Sequence, residues 1–217
     1  MEIRSETRTY RLTGKTSLLG SNPANPEIYS AYVGSKAASV QKAYEEEMML
    51  PTAEELQEKI GQIKGMGLTV FLRNGRGQLV LASHVIKGYF KGTFQTLKDQ
   101  IGIGGAKSKV DNLIFVESEY IPIMSKGEPV TEPDGYNERS LRAETMQGPR
   151  VSLASSEEID VPWNIDVELR LIENSGTAKS KPVTWEAIET ALNYGKYKGL
   201  GQWRNSGKGC FTWERIG

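Results

Sequence analysis

The sequence predicts an α+β fold, and three observations carry the prediction. Residues 164–173, NIDVELRLIE, alternate with a period of two. Ile165, Val167, Leu169 and Leu171 fall on one face and Asp166, Glu168 and Arg170 on the other, the signature of a half-buried strand. Two stretches have helical spacing instead. One covers roughly 84–100, with Ser83 as candidate cap and Val85, Ile86, Phe90 and Leu97 apolar; the other runs from the cap Thr184 to about Tyr194. Finally, β-branched and aromatic residues recur at 7–19 (TRTYRLTGKTSLL) and in the closing CFTWERI, so a strand stands at each place.

The other elements follow in chain order. GSNPANPEIYSAYVG (20–34) is rich in Gly, Pro and Asn and reads as a loop. Residues 35–49 have helical spacing, and Thr52 with Glu55 forms a capping-box pattern for a helix to about Lys64. LTVFLR (68–73), NGRG (74–77) and QLVLA (78–82) read as a hairpin, with Asn74-Gly75 as the turn signal. In the helix that follows, Gly88 and Gly92 each cost about 1 kcal/mol relative to Ala, and their spacing predicts close approach of another backbone. After a glycine-rich break at 102–105, residues 112–123 read as a strand, 124–140 as a mobile loop, and 142–155 as a strand or a bent pair of strands. A glycine-rich loop spans 195–209. With 20–82 set aside as an insertion in one domain (1–217), the order is strand, helix, strand, strand, helix, strand. That is the split-βαβ, ferredoxin-like (RRM-like) arrangement.

Composition narrows the function classes. The 217 residues include 27 Lys and Arg against 27 Asp and Glu, which argues against a polybasic binder. A single cysteine, Cys210, permits no intrachain disulfide and predicts a small buried hydrophobe. With one histidine, His84, zinc sites built from several His and Cys ligands are ruled out, and no metal site or cofactor is assigned. The start, MEIRSETRTY, lacks the apolar core of a signal peptide, and no run reaches the ~18 apolar residues of a membrane span. The expectation is a soluble, cytoplasmic protein with no membrane partner.

Although the total is zero, charge is segregated. Between Lys64 and Val110 eight positive residues face Asp99 alone, and from Ser175 onward seven face three; the segment 115–173 carries thirteen negatives against five positives. Converged on one face, the basic blocks would neutralise phosphates and give salt-dependent binding; the same pattern suits head-to-tail self-association, basic face against acidic face, or solvated charges that do not converge.

The most informative motif is GLGQWRNSGKG (199–209), with Gly199, Gly201, Gly207 and Gly209 between a helix and the last strand. Glycines let backbone N–H groups approach a ligand and form an anion-binding nest. Trp203 offers a stacking surface for a base, and Arg204 and Lys208 offer charge for phosphates. The loop is neither a Walker loop nor a dinucleotide fingerprint, because it follows a helix and enters a strand.

This loop resembles the glycine-rich loop of the RAMP superfamily, the proteins that build CRISPR effector complexes and process guide RNA. ASHVIKGYFKGTF (82–94) is similar to the segment that opens the first helix in the superfamily's backbone subunits, and TSLLGSN (16–22) resembles their exit from the first strand. Small phage-encoded relatives share the pattern. Lys208 departs from it, standing where a hydrophobic residue is expected, and Leu81-Ala82-Ser83 replaces the frequent Ile-Pro-Gly. The resemblance implies non-catalytic binding of RNA or single-stranded DNA, with subunits forming a homo-oligomer or larger ribonucleoprotein along the strand. It carries Lys87, Gly88, Gly199, Gly201, Gly207 and Gly209 as binding residues; charge and chemistry add Arg73, Arg76, Lys91, Trp203, Arg204 and Lys208. The hairpin 68–82, the helix from His84 and the loop 199–209 are expected to line one groove. Two alternatives stay open: a protein-interaction module, such as a phage-encoded antagonist of a host defence complex, and a metal-independent endoribonuclease using His84.

Overall fold

A computed structural model describes residues 3–24, 67–145, 148–176 and 180–217. The helices expected over 35–49 and 52–64, and most of the insertion 20–82, lie outside the described residues. What is described is α+β, with the strands in three sheets and the helices gathered on one face of the largest.

That sheet is built on Ser5–Gly14 (β1), whose inward residues Tyr10 and Leu12 are buried while Thr7, Thr9, Arg11 and Thr13 face the other way. The expected strand 7–19 does not run on. It stops at Gly14, whose N–H bonds to the Trp163 carbonyl while Lys15 N–H bonds to Cys210 O. Leu18–Leu19 (β2) and Asn22–Pro23 (β3) then join a different sheet, where Gly67–Val70 (β4) also lies. Leu72–Arg73 (β5) pairs with Leu79–Ala82 (β6) across the predicted turn. Asn74 organises that turn, its carboxamide oxygen accepting from the N–H groups of Arg76 and Gln78, and Gly77 rather than Gly75 holds the positive φ of 74°.

The first helix, Ser83–Thr96 (α1), buries Ile86, Tyr89, Phe90 and Phe94. Ser83 does not cap it: the cap position falls on Ala82, with no side-chain bond, and Ser83 N–H bonds to Glu119 O. Gly88 and Gly92 do not meet another backbone either; a Cβ on Gly88 would meet nothing within 4 Å. The helix also stops earlier than expected. Lys98–Ile101 (α2) and Ala106–Leu113 (α3) follow, with Gly102 and Gly105 in left-handed conformation between them.

The expected strand 112–123 divides into Ile114–Val116 (β7), which pairs in the main sheet, and Tyr120–Pro122 (β8), which pairs with β6. The expected loop 124–140 is instead largely ordered by pairing. Met124–Ser125 (β9) and Glu128–Pro129 (β10) form a small hairpin, and Gly135–Thr145 (β11) starts a long one with Gly148–Ile159 (β12). The alternation at 164–173 appears as Asn164–Ile172 (β13), with Ile165, Val167, Leu169 and Leu171 buried. Trp185–Asn193 (α4) starts at Thr184, whose hydroxyl accepts from Ala187 N–H, and Phe211–Arg215 (β14) is the last strand.

The main sheet runs β14–β1–β13–β7, every neighbouring pair antiparallel, with β9 and β10 continuing beside β13. α1 and α4 pack their apolar residues on its inner face, where Tyr89 donates a 2.6 Å hydrogen bond to Ala191 O. On the outer face of the central strands Arg11 pairs with Asp166 and Arg170 with Glu117, each at 2.8 Å, and Thr7, Thr9, Thr13 and Glu168 fill the rest. These two strands present no aromatic outward, so they lack the stacked-base platform of an RRM. The second sheet runs β11–β12–β4–β3 with β2 beside β12, and it brings residues 18–23 against the long hairpin.

Candidate nucleic-acid interface

The glycine-rich loop is laid against the chain that leaves β1. Gly209 N–H donates to Ser17 O at 2.7 Å, Gln202 N–H to Leu19 O at 3.2 Å, and the Thr16 hydroxyl bonds both Gly207 O and Cys210 N–H. The loop also closes on itself, Leu200 N–H donating to Gly209 O at 3.0 Å. There is no room for side chains between its two ends: a Cβ on Gly199 would lie 2.1 Å from the Gly209 carbonyl carbon. Gly199 and Gly209 are therefore packing glycines rather than parts of an open nest.

An ionic clasp holds the same junction. Lys208 Nζ lies 2.7 Å from both Glu158 Oε1 and Ser17 Oγ, and Ser17 itself donates to Glu158. Burial would raise the Glu158 pKa, but hydrogen bonds from Lys208, Ser17 and Asn137 outweigh it and hold the pKa below its ordinary 4.5. A carboxylate depressed in the fold stabilises above its unfolded pKa and loses that contribution as pH falls through the folded one. Unfolding midpoints measured from neutral pH downward should therefore drop below about pH 4.5, and part of the drop should vanish in Glu158→Gln. Identical acid profiles for the two proteins would contradict the clasp.

Where the loop passes the start of α1, a cleft of about 520 Å³ opens. Ser21 comes from the chain after β2, His84, Val85 and Gly88 from α1, Arg139 from β11, and Gly201 to Asn205 from the loop. The three segments singled out in the sequence, 16–22, 82–94 and 199–209, thus share one wall. The first turn of α1 borders the cleft, adding the positive end of a helix dipole, and Gly88 leaves that helix face bare. Trp203 stands here at 36% exposure with φ 53°. A positive φ on a bulky residue is an outlier that costs about 1–3 kcal/mol and clusters at functional sites.

The other predicted cations are placed elsewhere or committed to the fold. Arg73 bonds the buried Glu157 at 2.9 Å, and Glu157 also accepts the Phe71 N–H. Lys87 donates to the carbonyls of Val110 and Asp111, capping α3, and lies 4.8 Å from the centre of the Phe115 ring; burial pushes its pKa down. Lys91 pairs with Asp111 at 2.6 Å. Arg76 is exposed at the β5–β6 turn, and the hairpin does not line the cleft. Gly207 has φ 84° with open space around it. Cys210 is buried beneath the loop. Of the sequence candidates, the structure brings together His84, Gly88, Gly201, Trp203 and Arg204.

Sequence reasoning missed Arg139. Its guanidinium carbon sits 4.9 Å from the centre of the Trp203 ring, within cation–π range. The residue is only 8% exposed. Nη2 donates to Ser156 Oγ at 3.0 Å and Nη1 to Asn137 O at 3.4 Å, while Nε has no acceptor among the described residues. No described carboxylate pairs with it, and burial pushes its pKa down. Asn137 is its neighbour on the inward face of β11, where Tyr136, Glu138 and Ser140 point to solvent. The sequence carried no hydropathy signal for it, because the inward positions Asn137 and Arg139 are polar while Tyr136 faces out.

Among the described residues no group of three or more His, Cys, Asp and Glu could hold a metal ion, and no helix is long and apolar enough to cross a membrane. No protein-family model and no curated protein matches the chain.

Proposed function

We propose that this protein binds single-stranded nucleic acid, RNA or DNA, in the cleft between the start of α1 and the glycine-rich loop, without cleaving it. The observation that carries the reading is Trp203: a large aromatic ring held at a strained positive φ, beside Arg139 and Arg204, at the mouth of a cleft. Base–aromatic stacking is sequence-tolerant and suits single strands, whose bases are free to leave a stack. The fold reading goes with it. The order β14–β1–β13–β7, antiparallel throughout with α1 and α4 on one face, supports a ferredoxin-like, RAMP-type reading. The meeting of the three resembling segments at one wall supports it independently.

Fluorescence anisotropy with labelled single-stranded RNA, single-stranded DNA and duplex DNA, at low and near-physiological salt, tests the reading. Single strands should bind more tightly than duplex, with an affinity that falls as salt rises. Absence of binding at either salt would leave the protein-partner alternative standing.

The position of His84 in the same wall favours one second reading, metal-independent RNA cleavage. Labelled RNA held with the protein in a chelator should stay intact. Cutting that disappears in His84→Ala would establish the nuclease instead.

A further inference from the structure

A guanidinium withdrawn from water needs compensation, and an unpaired buried charge is among the costliest features a fold can retain. Arg139 is nine-tenths buried, has an unsatisfied Nε, lacks a described carboxylate partner, and lines the cleft. Its contacts among the described residues, to Ser156, Asn137 and the face of the Trp203 ring, are all to neutral groups, and no described carboxylate cancels the charge. We infer that Arg139 is the seat of one phosphate group, with the adjoining base on Trp203, so that the cleft takes a single nucleotide unit. This rests on the single-strand reading above and adds to it the group that fixes the register.

Three further observations agree. Arg204 brings a second cation to the same wall, and Ser21, Gln202 and Asn205 supply neutral hydrogen-bonding groups of the kind that surround a phosphate. The volume of about 520 Å³ lies among pockets that take one small ligand, roughly 300–1,000 Å³. Arg139 also flanks the Trp203 ring, so a phosphate on Arg139 and a base on Trp203 are neighbours, as they are within one nucleotide.

The phosphate could belong to a strand or to a free nucleotide, and the experiment separates the two. Melting temperatures of wild type, Arg139→Met and Arg139→Lys are compared in chloride and in inorganic phosphate at equal ionic strength, alongside single-strand and nucleoside-monophosphate titrations. Phosphate should stabilise wild type beyond the general exclusion effect that it exerts on Arg139→Met. Strand affinity should fall about tenfold or more in Arg139→Met, as for loss of a charge-assisted contact, with partial recovery in Arg139→Lys. The melting temperature of Arg139→Met in chloride should be equal to or above that of wild type, because a buried charge with no carboxylate partner among the described residues has been removed.

If strands bind but neither their affinity nor the phosphate response depends on residue 139, the phosphate seat is overturned and the single-strand reading survives. A fall in melting temperature with affinity unchanged also overturns it. Should Arg139→Met melt early and bind weakly together, the Lys variant decides: a phosphate response kept in Arg139→Lys but lost in Arg139→Met supports the seat, and one kept in both variants or lost in both overturns it. If no strand binds, yet phosphate or a nucleoside monophosphate does so through Arg139, the single-strand reading fails and the seat stands for a free nucleotide.

Discussion

Replacing Gly199 with alanine should lower stability by about 3 kcal/mol, the upper end for overpacking, read as a fall in the urea midpoint. The added methyl would lie 2.1 Å from the Gly209 carbonyl carbon and 2.2 Å from Lys208 O, all of it backbone that has no rotamer to escape into. Gly209→Ala should be at least as damaging, since its Cβ would meet Leu200 O at 2.1 Å and its φ is 69°. Two controls separate crowding from conformation. Gly207→Ala meets open space at φ 84° and should cost only the left-handed penalty, about 1–2 kcal/mol. Gly88→Ala meets nothing within 4 Å inside a helix and should stabilise by about 1 kcal/mol. Equal losses in Gly199→Ala and Gly207→Ala would contradict the packing account of the loop.

Trp203→Gly should weaken single-strand binding by about tenfold or more, as expected for one stacked base at roughly 1–3 kcal/mol. The same change should leave stability unaltered or raise it slightly. Glycine occupies φ 53° without strain, and the lost ring is 36% exposed rather than part of the core. Loss of binding with retained or increased stability separates a functional ring from a structural one. Arg204→Ala should act differently, reducing the slope of log affinity against log salt by about 0.7 if it neutralises one phosphate of a single strand. Loss of stability in Trp203→Gly with binding unchanged would remove Trp203 from the interface.

Much of the frame was legible because local pattern and burial agree in it. The alternation at 164–173 became β13, and Thr184 caps α4 as its position before Trp185 predicts. The misreadings share a cause: tertiary bonds that local pattern does not contain. Nothing in Lys15, Thr16 and Ser17 breaks a strand, yet carbonyls of Trp163 and Cys210 turn the chain there. Residues 112–123 look continuous but feed two sheets. The long hairpin was legible only in part, as the strand or bent pair of strands expected over 142–155, because its buried stretch is polar, with Ser155, Ser156 and Glu157 all inside. At the site, segmental charge misled in both directions. Arg73 and Lys208 lie in basic segments but are spent on Glu157 and Glu158, whereas Arg139, from the segment with thirteen negatives, reaches the cleft.

The most direct test of the cleft is photocrosslinking with a single strand carrying 5-iodouracil, followed by mapping of the modified peptide. Tyr197 at 76% exposure, Phe115 and Tyr136 at 40% each offer aromatic rings at least as accessible as Trp203 at 36%. Capture by exposure alone would therefore favour them. The cleft predicts that the adduct concentrates on the peptide containing Trp203 and is lost when unlabelled single strand competes. Adducts confined to Tyr197, Phe115 or Tyr136, with Trp203 unmodified, would place the strand elsewhere and contradict the account.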